Sequence, residues 1–318
     1  GKEETLKRLP FFLAMESCPR RCVYCHQGEI TGVSSPPSPV DVRKTLSGLK
    51  ERAEICFFGG SFTCLPLPRQ REYLDCLADA PPGSTVRLST HPECISPAIL
   101  EFLSSYPLSM IELGISSLDD RVLSLCNRGY RGKEALAALG MVLDRGFHGG
   151  AQMMIGLPGQ SEESSFEDLK RLAGLARGRD LTLRIYPCLV LEGTALERLY
   201  REGAFTPLDV DRGVRWSARL LMLCRDLGLP VQRIGLHESD TLGASVAAGP
   251  YHPAFGELAR GGELAMMLAR ESPAGPWIVP RRLTSLMRGH GGYGLSLLAE
   301  ETGLDPQEAA ERMTFVDD

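Results

Sequence analysis

The chain has 318 residues, 43% of them hydrophobic, and a net charge of −5. That length suits one large α/β domain with a small appendage or two modest domains, and the acidic balance argues against a generic polyanion-binding surface. No apolar stretch is long enough to cross a bilayer and the N-terminus lacks a signal-peptide pattern, so the expectation is a soluble, cytoplasmic protein with no membrane partner. Ten cysteines, most scattered singly, fit a reducing compartment better than a disulfide framework. Cys56, Cys64, Cys76, Cys94, Cys126, Cys188 and Cys224 show no ligand spacing and read for the most part as small buried hydrophobes.

Short runs rich in Val, Ile and Phe recur at 11–15, 55–58, 86–88, 110–115, 151–157, 181–190 and 231–236, which predicts strands buried on both faces. Helical patterns lie between them at 40–52, 69–79, 96–104, 133–146, 165–176 and 210–227. Such alternation predicts βαβ units, a parallel sheet and chemistry gathered at the C-terminal strand ends. Beyond Gly262 the repeat fades into a helix at 264–270, a Pro/Gly joint at 272–276 and a helical tail at 293–313. Within that tail Gly303 stops one helix, and Asp305 and Pro306 cap and open another. The expected division is a barrel over 8–240 and a partly helical extension over 241–318.

The segment Cys18-Pro-Arg-Arg-Cys22-Val-Tyr-Cys25 places three cysteines at C-x-x-x-C-x-x-C spacing. Thiolates are the soft ligands of iron–sulfur clusters and zinc. Three of them can hold three corners of a [4Fe–4S] cube and leave one iron open to a ligand. With His26 they also match a closed zinc site, and three unpaired core cysteines is the plainest alternative.

With Tyr24 as the aromatic before the third cysteine, the segment resembles the cluster motif of the radical SAM superfamily. The resemblance implies a partial TIM barrel of (β/α)6 type with a small helical C-terminal extension, a [4Fe–4S] cluster on Cys18, Cys22 and Cys25, and S-adenosylmethionine on the open iron. Further markers follow in strand order. Gly59-Gly60-Ser61 resembles the family's turn that meets the methionyl amino group, and Ser89 stands where many members contact the ribose. Ser116 and Asn127-Arg128 resemble the corresponding spacing of the oxygen-independent coproporphyrinogen III oxidase group, with Ser116 replacing a glutamine and Arg128 matching the arginine that pairs with the methionyl carboxylate. Gln152, Ile155 and Gly156, before Leu157-Pro158-Gly159, resemble the turn beside the adenine.

Residues 57–63, 89–95, 154–159, 184–194 and 231–234 are also similar to the radical SAM half of the Elongator catalytic subunit, which modifies wobble uridines of tRNA, and the resemblance implies RNA, a tRNA base, as substrate. The short cysteine spacing, His91 and Glu93 depart from that pattern, and too few residues follow Gly262 for the subunit's acetyltransferase domain. Tyr186, Tyr251 and His252 are candidates to relay a proton or hydrogen atom. Arg184, Gln232, Arg233 and His237 sit at late strand ends, where an arginine pair suits a substrate phosphate or carboxylate, or a structural ion-pair network. Lys7-Arg8 with Arg20-Arg21, and Arg281-Arg282 with Arg288, read as solvated basic surface. The implied partners are a one-electron donor such as flavodoxin or ferredoxin, and tRNA or another RNA. A small metabolite or peptide substrate, or a non-catalytic cluster-bearing interaction protein, is the alternative.

Overall fold

The computed structural model describes residues 5–13, 18–25, 35–59, 61–236 and 240–318. His26, Gly60 and His237 therefore lie outside the described residues. The apolar runs become β1 (Lys7–Phe12), β2 (Ala53–Phe58), β3 (Thr85–Thr90), β4 (Leu108–Ser116), β5 (Gly149–Ile155) and β6 (Leu181–Pro187); after a short β7 (Val190–Leu191) comes β8 (Val231–Ile234). All but β7 form one seven-stranded sheet in chain order, with every pairing parallel. Each crossover carries helix: α1 (Pro39–Ser47), α2 (Leu67–Asp75), α3 (Pro97–Leu103), α4 (Asp120–Leu125) with α5 (Gly132–Asp144), α6 (Glu162–Ala176), and α7 (Ala195–Arg201) with α8 (Val210–Leu227). The expected α/β partial barrel is thus present. Its open seam lies between the edge strands β1 and β8.

Strand alternation sends Ile55, Phe57, Val86, Leu88, Ile111, Leu113, Leu183 and Ile185 outward into the core shared with the helices. The opposite face carries Arg8, Glu54, Arg87, Glu112, Gln152 and Arg184. A closed barrel would fill that interior with branched apolar side chains; this open one lines it with charge. Strand β1 begins four residues before the expected run and contains Pro10, tolerated because an edge strand need not donate from that N–H. The 181–190 run does not continue as one strand. It leaves the sheet after Pro187, and Val190–Leu191 pairs antiparallel with β9 (Val246–Ala248).

After α9 (Asp240–Ser245), α10 (Phe255–Glu271) serves two cores. Phe255, Leu258 and Ala259 join the barrel, while Leu264 and Leu268 pack with Trp277, Val279, Met287, Leu297 and Leu298. Helix α11 (Thr284–Thr302) is broken at Gly289–Gly292 and ends at Gly303, and Asp305 with Glu308 forms the capping box of α12 (Pro306–Glu311). Where the expected helical tail ends, β11 (Met313–Val316) pairs in parallel with β10 (Trp277–Pro280). Among the described residues no helix is long and apolar enough to cross a membrane.

Five of the scattered cysteines are buried and free, as small hydrophobes. Cys64 and Cys94 depart from that reading. Single 3-10 turns after β2 and β3 bring their Cα atoms to 5.1 Å, and they form a disulfide joining the two loops.

Gly132 opens α5 against the end of β4, where a Cβ would overlap the Leu118 carbonyl oxygen and displace backbone. Gly132→Ala is expected to lower stability by about 1–3 kcal/mol, read as a shifted urea midpoint at unchanged slope.

Candidate functional site

The C-terminal strand ends surround a cavity of about 620 Å³ whose wall includes Cys18, Cys22 and Cys25. The short loop carrying them is built into its neighbours. Cys25 N–H bonds the Cys22 carbonyl at 3.1 Å, Val23 N–H bonds the Cys126 carbonyl at 3.2 Å, and the Val23 carbonyl accepts from Leu196 N–H at 2.8 Å. Asn127 donates its amide to the Arg21 carbonyl at 2.8 Å from a left-handed backbone, φ 56°. The sequence reading passed over this tie, although Asn is among the residues that adopt such a turn.

Arg128 is the hub. Its Nη1 donates to Cys22 Sγ at 2.9 Å and to the Tyr24 hydroxyl at 3.1 Å, its Nε donates to the Tyr130 hydroxyl at 2.8 Å, and its Nη2 donates to the Gly114 carbonyl. Burial opposes its charge, but Tyr24, Tyr130 and Cys22 more than offset that and keep its pKa raised. Burial likewise pushes the Tyr24 hydroxyl well above its usual range, so it stays protonated beside Ser116 Oγ at 2.8 Å. Ser116 holds φ 70°, a strained conformation for a residue with a Cβ. Tyr130, which donates onward to the Ile115 carbonyl at 2.6 Å, had no marker in the sequence beyond following Arg128 by two.

The loops after β2 and β3 form the adjoining wall. Gly59 takes φ 82°, which glycine alone adopts without strain. Ser61 Oγ lies 3.5 Å from Cys18 Sγ. Ser89 Oγ is buried without a hydrogen-bond partner, and so is His91 Nε2. His91 Nδ1 accepts from Glu93 N–H at 3.2 Å, which leaves the proton on Nε2. Burial, then Arg128, lowers its pKa to about 3, so it is a neutral donor.

The remaining expected residues divide. Gln152 and Tyr186 line the cavity; Gln152 donates to Glu112 at 2.6 Å, and Glu112 pairs with Arg184 at 3.3 Å. Ile155 is buried in the core and its carbonyl accepts from Cys188 N–H, while Gly156, at φ 76°, packs against Leu208. Neither is in the cavity wall. Tyr251 and His252 also stand outside it: Tyr251 packs against Leu189 and Leu191, and His252 accepts from Ala254 N–H at 2.9 Å with its ring edge-on to His290. Among the described residues no three His, Cys, Asp or Glu side chains gather closely enough to ligate one metal ion.

The turn after β4 is held from α6. Asp168 accepts from Leu118 N–H at 3.0 Å and from Ser117 Oγ at 3.2 Å, and burial pushes its pKa up to about 6. A carboxyl that holds its proton more tightly folded than unfolded stabilises the fold at low pH, and that contribution is lost as pH rises through about 6. The span is worth on the order of 3 kcal/mol. Stability measured against pH is expected to fall less over this window in Asp168→Asn, which keeps the Leu118 bond, than in the parent. For the hub, Arg128→Met is expected to cost about 2–4 kcal/mol in urea unfolding, because three oxygen acceptors and Cys22 lose their donor.

Comparison with known proteins agrees with this geometry. The Radical SAM superfamily description matches residues 13–173, and that of a Radical_SAM C-terminal domain matches residues 181–263. MJ0486 of Methanocaldococcus jannaschii is 26% identical over 209 residues, 60% of this chain and 64% of that one. A tRNA uridine(34) acetyltransferase of Dehalococcoides mccartyi is 24% identical over 230 residues, 60% of this chain and 50% of that one. The chain therefore covers less than two thirds of the length of either relative. In fold it is similar to archaeal Elp3 of Methanocaldococcus infernus with an N-terminal deletion, at TM-score 0.62 and 18% identity over 89% of this chain and 67% of that one. A family match over half the chain, together with three cysteines on one wall of an open parallel barrel, leads to one conclusion: the chain belongs to the radical SAM superfamily.

Proposed function

We propose that this radical SAM enzyme modifies RNA, with a tRNA base as the group acted on. The family's cofactors are a [4Fe–4S] cluster and S-adenosylmethionine, and the residues present fit them. Three cysteine side chains in the cavity wall, with no other cysteine among its described residues, suit a cube with one open iron. Ser89 Oγ is an orphaned buried hydroxyl on the same wall, at the position matched to the ribose contact. When bound, the pair supplies a 5′-deoxyadenosyl radical that removes a hydrogen atom from the substrate.

The chain's own work is holding and shielding. Cys18, Cys22 and Cys25 would ligate the cluster. Arg128 sets the position of Cys22 and Tyr24; a methionyl carboxylate reaching it would have to share or displace one of its present acceptors. Gly59 and Ser61 border Cys18 where the methionyl amino group is placed by the family resemblance. Tyr186, buried and kept protonated, is the one candidate hydrogen relay that faces the cavity. The tRNA assignment is supported by the curated relative named tRNA uridine(34) acetyltransferase.

The observation that carries the reading is that Cys18, Cys22 and Cys25 line one cavity wall. After anaerobic reconstitution with iron and sulfide, dithionite and S-adenosylmethionine are expected to give 5′-deoxyadenosine in the parent and none in Cys22→Ala. Incubation with bulk tRNA and mass analysis of its nucleosides is expected to show one altered uridine. A cluster-loaded protein that yields no 5′-deoxyadenosine, with or without tRNA, refutes the enzyme reading; turnover with an unaltered nucleoside profile refutes the RNA reading alone.

A further inference from the structure

On a chain of net charge −5, the cavity wall carries six arginines, Arg8, Arg20, Arg21, Arg128, Arg184 and Arg233, and among the described residues no aspartate or glutamate. Several of these charges are answered from behind the wall. Arg8 pairs with Glu54 at 3.1 Å, Arg20 with Glu93 at 3.7 Å and Arg184 with Glu112 at 3.3 Å. Arg233 has no carboxylate within ion-pair reach among the described residues, and it is the direct register partner of Arg184 across β6 and β8. Burial, and then Arg184 and Arg8, hold Arg233 below the usual arginine range, with Tyr186 opposing.

Deeper in the same half of the barrel, Arg87 is 2% exposed, bonds only Gln232 Oε1 and Met110 Sδ, and leaves Nε and Nη1 without partners. Arg8, Arg87, Arg184 and Arg233 thus face only Glu54 and Glu112. Arg87 and Arg184 are largely buried, Arg8 is exposed and Arg233 half-buried, and an excess of positive charge in such a setting is unfavourable by itself and is relieved by an anion. The donors come from three strands: Arg8 on β1, Tyr186 on β6 and Arg233 on β8. A tetrahedral oxyanion accepts from three directions more fully than a planar carboxylate, and guanidinium groups are suited to it.

We propose that Arg233, with Arg8 and Tyr186, forms a subsite for a phosphate group of the substrate at the open seam between β1 and β8. It deepens the RNA reading and rests on it for the choice of nucleotide probes. The phosphate belongs either to an RNA chain or to a small phosphorylated molecule, and the experiment separates them.

The test is calorimetric titration of the anaerobically reconstituted protein with uridine, uridine 5′-monophosphate and the dinucleotide uridylyl-uridine. The variants are Arg233→Met, Arg8→Met, Arg233→Lys and, as a surface control, Arg281→Ala, each checked for an unchanged melting midpoint. The monophosphate is expected to bind at least about tenfold more tightly than uridine. That preference should fall by about tenfold in Arg233→Met or Arg8→Met, survive in part in Arg233→Lys, and persist in Arg281→Ala, with uridine affinity unmoved throughout. Equal affinity for uridine and its monophosphate, or a preference that survives both Met variants, overturns the subsite even if tRNA is modified. An Arg233-dependent gain for the dinucleotide assigns the phosphate to RNA. The same gain for the monophosphate alone upholds the subsite, assigns it to a small phosphorylated molecule and counts against the RNA reading.

Discussion

One buried guanidinium holds the site together. Arg128 reaches the cysteine loop through Cys22 and Tyr24, the end of β4 through the Gly114 carbonyl, and its own turn through Tyr130. These segments are roughly a hundred residues apart at the widest, so the hub closes a long loop whose entropy must be offset by strong local bonds. It does so with charge-assisted donors in a dry setting, where each is worth more than at the surface. The left-handed backbone at Ser116, Asn127 and Gly129 is tolerated around it because neighbouring bonds over-determine the turn.

The second constraint is the unclosed sheet. Seven strands leave two edges, and the interior between them is lined with charge rather than filled with branched apolar side chains. This explains how an acidic protein carries an arginine-lined cavity: the acidic groups that balance the net charge lie elsewhere, and those near the cavity stand behind the wall as ion-pair partners. Glu112 is the clearest case. At 1% exposure it accepts from Gln152 and pairs with Arg184, so it orders two cavity residues without entering the cavity itself.

The Gly59 loop and the end of β3 that bears Ser89 are also tied to each other directly. Thr63 and Thr90 bond through their hydroxyls, Thr63 N–H also donates to Thr90 at 3.1 Å, and the Cys64–Cys94 disulfide joins the same two loops. The extension contributes through α10, whose first half belongs to the barrel core and whose second half belongs to the C-terminal core. The same helix reaches the seam side of the barrel, where Arg260 on α10 donates to the Val231 carbonyl of β8 at 3.0 Å.

By itself the sequence determined the alternation of strands and helices, the parallel sheet and the thiol motif, because periodicity, capping residues and ligand spacing are local properties. Helix α8 shows this well: Asp209 and Gly228 mark its ends, and the expected and observed bounds coincide. It also held an unread clue in Glu112, a carboxylate inside an apolar run. Only the tertiary structure decided which strand-end residues face the cavity. It withdrew Tyr251, His252 and Ile155 from the wall and brought in Arg8, which reads along the chain as solvated surface. It also paired Cys64 with Cys94, and the two halves of the late apolar run with different strands. Those outcomes depend on the curl of the sheet and on contacts between distant segments, and a one-residue change of register or a Pro that ends a ladder redirects a side chain with no trace in composition or spacing.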